Sequence, residues 1–115
     1  SHYDCSVALE IEGEKYAGQA QGAASSRNRL RLLAEATLEA LEMYLKNDVG
    51  LAIEELRLIE LGTKPVLVAS VIMVTQHSEE TLAGACFVAG DTGIAVVQAV
   101  LKAAENRLPI WTDIG

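Results

Sequence analysis

The sequence predicts an α+β fold of duplicated β-hairpin-plus-helix units in the order β-β-α-β-β-β-α, with an antiparallel sheet carrying both helices on one face. Three observations predict it. Residues 35–45 are echoed by residues 98–108, with Ala, Leu, Ala, Glu and Leu recurring at matching places. Each copy follows an Ala-Gly step, Ala17-Gly18 and Ala83-Gly84, inside a segment that reads as a strand. The segments between them alternate apolar and polar residues, the period of a strand with one wet face. With 115 residues, half of them apolar, the chain suits one domain, residues 3–108, followed by an apolar C-terminal tail at 109–115.

The first strand is expected where Val7, Leu9 and Ile11 alternate with Ala8, Glu10 and Glu12. Gly13 turns the chain into residues 15–21, whose small Ala17, Gly18 and Ala20 suit close packing against another element. Ser25 and Ser26 are candidate N-caps for a helix reaching about Lys46, with Leu30, Leu33, Ala34, Thr37, Leu38, Leu41 and Leu45 on its apolar face. Asn47-Asp48-Val49-Gly50 supplies the stop, with Gly50 suited to a left-handed conformation. Alternation resumes over residues 54–61, and Gly62-Thr63-Lys64-Pro65 turns the chain. Residues 66–75 are so uniformly apolar that this strand should be central and covered on both faces. A strand over residues 81–89 follows, then a helix capped by Asp91 or Thr92 and closed by Pro109. Between Ile94 and Ala104 only Gln98 and Lys102 are polar. Such a helix carries more apolar surface than one sheet face covers, so either the helices pack side by side or a second subunit covers the remainder. Val96, Val100, Ala103 and Trp111 are the interface candidates, and a homodimer is expected.

The pattern of strand, Gly turn, small-residue strand and helix, then turn, long strand, strand ending at Gly-Asp and helix ending Asn-Arg-Leu, covers residues 7–108. It is carried by Glu12-Gly13-Glu14-Lys15-Tyr16, Gly22, residues 56–62, Gly84, Gly90-Asp91, Ala95, Ala99 and Asn106-Arg107-Leu108. In this the chain resembles the C-terminal regulatory domain of isopropylmalate and citramalate synthases. The resemblance implies a pseudo-twofold duplication that dimerises and holds a feedback amino acid at the dimer interface. Gly22-Ala23-Ala24-Ser25-Ser26-Arg27 and Gly62-Thr63-Lys64-Pro65 stand where that family has a Gly-rich segment and a Gly-Thr-Asp-Ala-like turn, and the first unit begins at what would be its second strand. The fold and the tendency to dimerise carry over, while leucine or isoleucine binding is left open.

Nine basic against sixteen acidic residues give a formal net charge of -7, which disfavours nucleic acid and anionic membrane surfaces as partners. The longest predominantly apolar run, residues 66–74 with Ser70 inside it, is far short of the roughly 20 residues of a spanning helix, and no cleavable signal pattern opens the chain. A cytoplasmic protein is expected. Ser1-His2 reads as the remnant of a cleaved tag. Cys5 and Cys86 lie in no C-x-x-C or Cys/His cluster, and Cys86 reads as a small buried hydrophobe, with one disulfide between them as the alternative.

Arg27, Arg29 and Arg31 crowd the first turn of helix one, where the helix dipole disfavours cations. With Ser25, Ser26 and the free N–H groups of the helix start, they would suit a phosphate or carboxylate. The competing reading is that they extend into water or pair with Glu35 and its neighbours. Asp91 is read as a cap, and His77 as a solvated turn residue with no second ligand nearby. Ile110, Trp111 and Ile114 either dock on the domain or a partner, or begin a linker to other domains of a longer protein. With no catalytic constellation and no cofactor motif, the leading functional reading is a non-catalytic regulatory or dimerisation module for a small anionic or amino-acid-like ligand near the subunit interface. The alternatives are a purely structural protein–protein interaction domain, or a small enzyme using Cys86 or His77.

Overall fold

A computed structural model of the chain describes residues 1–46 and 48–108. Its elements are β1 (His2–Ile11), β2 (Glu14–Ala23), α1 (Ser26–Tyr44), β3 (Gly50–Leu61), β4 (Lys64–Val74), β5 (Glu79–Phe87) and α2 (Thr92–Glu105), the predicted order. All pairings are antiparallel. The strands divide between two sheets, β1-β2 and β3-β4-β5, where one continuous sheet was expected. Each helix covers one face of its own sheet, α1 on β1 and β2 and α2 on β4 and β5. The helices also touch each other, and α1 reaches β3.

The two Ala-Gly steps fix each helix on its own sheet. A Cβ built on Gly18 would stand 2.7 Å from the Ala40 nitrogen and closer still to the Ala36 carbonyl, so β2 meets the α1 backbone with no side chain between them. A Cβ on Gly84 would likewise collide with the Ala99 carbonyl and the Ala103 nitrogen, and would lie 3.0 Å from the Ala103 Cα. Ala36 and Ala99, like Ala40 and Ala103, hold the same places in the sequence echo. Each glycine therefore holds one helix against its own strand. The remaining core fills in around these contacts, with Ile11, Leu41, Leu67, Leu101, Val71, Val96 and Val100 fully buried.

Local chemistry accounts for the element ends. Glu12 and Gly13 both take positive φ, 54° and 82°, as the two-residue turn joining β1 to β2 requires. Ser25 caps α1 through its hydroxyl, which accepts from the Asn28 N–H at 3.2 Å, and Asp91 caps α2 by accepting from Gly93 N–H at 2.8 Å. The left-handed residue after α1 is Lys46, at φ 56°, rather than Gly50, which instead opens β3. β3 begins before residue 54 because a bulge between Ile53 and Glu55 breaks the alternation and hides its first half. Helix α2 stops at Glu105, and Arg107 then bridges to Glu80 of β5 at 2.6 and 2.8 Å. The hydrogen bond from Arg107 holds the Glu80 carboxyl below its ordinary range.

β4 is central in its sheet, as its apolar run predicts. Its Leu67, Ala69, Val71 and Met73 are buried on the helix side. On the other side Val66 is buried but Val68 and Ile72 are only half-buried and Val74 is 44% exposed, so the described residues cover this face less completely than the helix side.

Replacing Gly18 or Gly84 by Ala is expected to destabilise the fold by about 1–3 kcal/mol each, because backbone must move to admit the methyl. Gly50→Ala is the control, since its Cβ would meet only Val74 at 3.8 Å or more. It should shift stability by less than about 1 kcal/mol. Urea unfolding of the three variants checks this, and equal effects at Gly18 and Gly50 would refute the close-contact explanation.

Candidate functional site

The α1 N-terminus lies beside the outer half of β3, and between them runs an open groove with a cavity volume of about 1030 Å³. Ser25, Ser26, Arg27 and Arg31 line its α1 side. Leu56 and Leu58 of β3 and Leu67 of β4 form an apolar stretch, with Leu30 of α1 opposite. Leu58 pairs with Leu67 and Leu56 with Ala69, so these leucines sit on the helix-facing side of the sheet, beyond the reach of α2. That position leaves Leu58 54% exposed. One groove thus joins an arginine-bearing helix start to exposed aliphatic surface.

Hydrogen bonds hold the wall in place. Asn28 donates from Nδ2 to the Ala23 carbonyl at 2.8 Å, fixing the end of β2 against the first turn of α1. Arg31 donates from Nη2 to the Ile53 carbonyl at 3.3 Å, and its Nε lies 3.4 Å from Glu35. Farther along, the Leu51 N–H donates to Glu42 at 2.8 Å, so two α1 side chains cap the free edge of β3. Three arginines line the groove, Arg27, Arg31 and Arg57, against two carboxylates, Glu54 and Glu55. Glu55 is ion-paired with Arg57, and Glu54 accepts from the Ser70 hydroxyl at 3.0 Å. With Glu35 beside Arg31, three carboxylates stand against the three arginines, so the groove is near neutral in a chain of net charge -7.

Of the residues predicted from the helix start, four are brought together here and Arg29 is not. Arg29 turns back, donating from Nε to the Ala24 carbonyl at 3.1 Å, and its guanidinium carbon stands 4.9 Å from the centre of the Tyr3 ring. Its role is to hold β1 and the β2–α1 link together. The interface candidates Val96, Val100 and Ala103 are 0% exposed within the single chain. They are core residues, because α1 packs along α2 and covers the apolar surface that exceeded one sheet face, and a second chain cannot reach them. Trp111 and the tail 109–115 lie outside the described residues.

The alternative chemistry finds little geometric support. The His77 N–H donates to Thr75 Oγ1 at 3.4 Å in an exposed turn. Cys86 donates from its thiol to Gln98 Oε1 at 2.9 Å, and both cysteines are free and half-buried. Burial, followed by the charges of Glu35 and Asp4, pushes the Cys5 thiol pKa up despite a hydrogen bond with the Ala20 backbone, which makes it a poorer nucleophile. Among the described residues no group of His, Cys, Asp and Glu is placed to hold a metal ion, and no helix is long and apolar enough to cross a membrane.

Leu56, Leu58, Leu67 and Arg57 are the groove residues that sequence reasoning missed. They read as ordinary strand positions, and only the placement of β3 against α1 turns them toward a site. Comparison of the chain with protein-family models, curated proteins and solved structures finds no match.

Arg29→Gln is expected to lower stability by about 0.5–1 kcal/mol, the size of an exposed cation–π contact. Arg27→Gln should leave stability unchanged or slightly higher, since it removes a cation from a helix start. Thermal unfolding of the two variants distinguishes them, and the reverse order would contradict the assigned roles.

Proposed function

We propose that this protein is a non-catalytic regulatory and dimerisation module, cytoplasmic in setting, whose ligand is a small carboxylate with an aliphatic part, such as a branched amino acid. The observation that carries this reading is the composition of the groove. A carboxylate pairs with the guanidinium of Arg27 or Arg31 and the first N–H groups of α1, as anions do at helix starts. An aliphatic chain of four or so carbons lies along Leu56 and Leu58, over the buried Leu67. The resemblance to the regulatory domain of isopropylmalate and citramalate synthases points to the same ligand class. A purely structural interaction domain is the second reading, favoured by the apolar outer side of the three-stranded sheet.

Thermal unfolding with leucine, isoleucine, isovalerate and inorganic phosphate tests the proposal. A ligand that binds only the folded state at a hundred times its Kd stabilises by about 2.7 kcal/mol. Isovalerate or a branched amino acid should raise the Tm, and phosphate should raise it less. Leu58→Glu should abolish the shift, and Arg27→Gln should reduce it. No shift with any of the four would remove the ligand and leave the structural reading.

A further inference from the structure

The two units present opposite chemistry on their helix-free faces. Strand alternation places Asp4, Ser6, Glu10, Lys15, Gln19 and Gln21 on the outer face of β1-β2, all of them exposed. The same alternation places Ile59, Val66, Val68, Ile72, Val74 and Phe87 on the outer face of β3-β4-β5, around a polar strip of Glu55, Arg57, Ser70 and Thr81, with Val66 buried among its neighbours. Ile59 is 41% exposed and Phe87 53%, and neither helix lies on this side. The first unit is the control for the second. Among the described residues, one duplicated sheet is finished for water, and the other keeps apolar surface on both sides of its polar strip.

Its charges indicate the occupant. Glu55 and Arg57 are paired with each other near the middle, and Glu54 accepts from the Ser70 hydroxyl beside them. Two residues before Val66 on β4, Lys64 marks one end of the face. Glu79, which pairs with Val74, marks the other. A face positive at one end and negative at the other is complementary to itself when turned end for end. A twofold axis lying across the strands, in the plane of contact, sets Lys64 of each copy against Glu79 of the other, twice over. An axis along the strands would instead set Lys64 against Lys64. We propose that a second copy of this chain docks on the outer face of β3-β4-β5 in this end-for-end arrangement, the two sheets stacked face to face about 10 Å apart.

This interface deepens the dimerisation part of the reading above and rests on it. Arg57 and Glu55 also line the groove, so the ligand site opens at the rim of the contact. The ligand and the second copy then share residues.

Sedimentation equilibrium at micromolar concentration tests the arrangement. Wild type should be a dimer, and Phe87→Glu, a change at an exposed position, should weaken association about a hundredfold or more. Ile94→Glu, at a 54% exposed position on α2, should leave the dimer intact. Lys64→Glu and Glu79→Lys should each weaken the dimer, and the double variant should restore it. Both positions are exposed, so this pair answers the question even if Phe87→Glu fails to fold. A wild-type dimer indifferent to Phe87→Glu or to both charge reversals overturns this face while leaving dimerisation standing. A wild-type monomer overturns both.

Discussion

Two places where a helix backbone lies directly on a strand backbone govern the rest of this structure. At Gly18 and at Gly84 the space that a methyl would occupy is filled by the main chain of α1 and of α2. Helices ordinarily stand off a sheet by the thickness of two layers of side chains, so removing one layer brings α1 and α2 deep against β2 and β5. Ala36, Ala40, Ala99 and Ala103 complete the contact from the helix side, each fully buried. Larger residues at these four positions would push the helix off its strand.

With each helix held to its own sheet, the other features follow. The helices pack against one another, which buries Val96 and Val100 inside one chain. α1 is left free along its other flank to meet β3, where Arg31 and Glu42 satisfy the backbone of the strand edge. The same placement leaves the far half of β3 beyond the reach of α2, so Leu56 and Leu58 lie open beside the start of α1. The groove is thus a consequence of where the helix is anchored, and its chemistry comes from which residues stand at two unpaired element ends.

Much of the fold was legible because it rests on local signals. The echo of residues 35–45 in residues 98–108, the turn at Gly13 and the caps Ser25 and Asp91 each depend on neighbours in the chain. The division into two sheets was less legible. Gly18 and Gly84 announced close packing, but their partners lie about 20 residues away, and alternation alone does not say which strands share a sheet. The bulge before Glu55 concealed the first half of β3 by breaking its period. For α2 the excess of apolar surface was read correctly and its cover was found in α1, leaving no need for a partner at Val96, Val100 or Ala103. At the candidate site the polar half was legible, since Ser25, Ser26, Arg27 and Arg31 lie within seven residues of one helix start and the arginines conflict with its dipole. The apolar half was not, because Leu56, Leu58 and Leu67 look like any strand leucines until the sheet is placed. Arg29 shows the opposite limit, an arginine of the same cluster claimed by Tyr3 and the Ala24 carbonyl.

The most direct test of the duplicated close contact is proton–proton distance in solution. Nuclear Overhauser spectra of the labelled protein should show strong cross-peaks from the Gly18 Hα protons to the Ala40 amide, and from the Gly84 Hα protons to the Ala103 amide. Both pairs are expected at comparable intensity, because the two units use one geometry. Absence of either peak, with the flanking helix and strand peaks present, would mean that the helix stands off its strand and that the two units are not built on a shared contact.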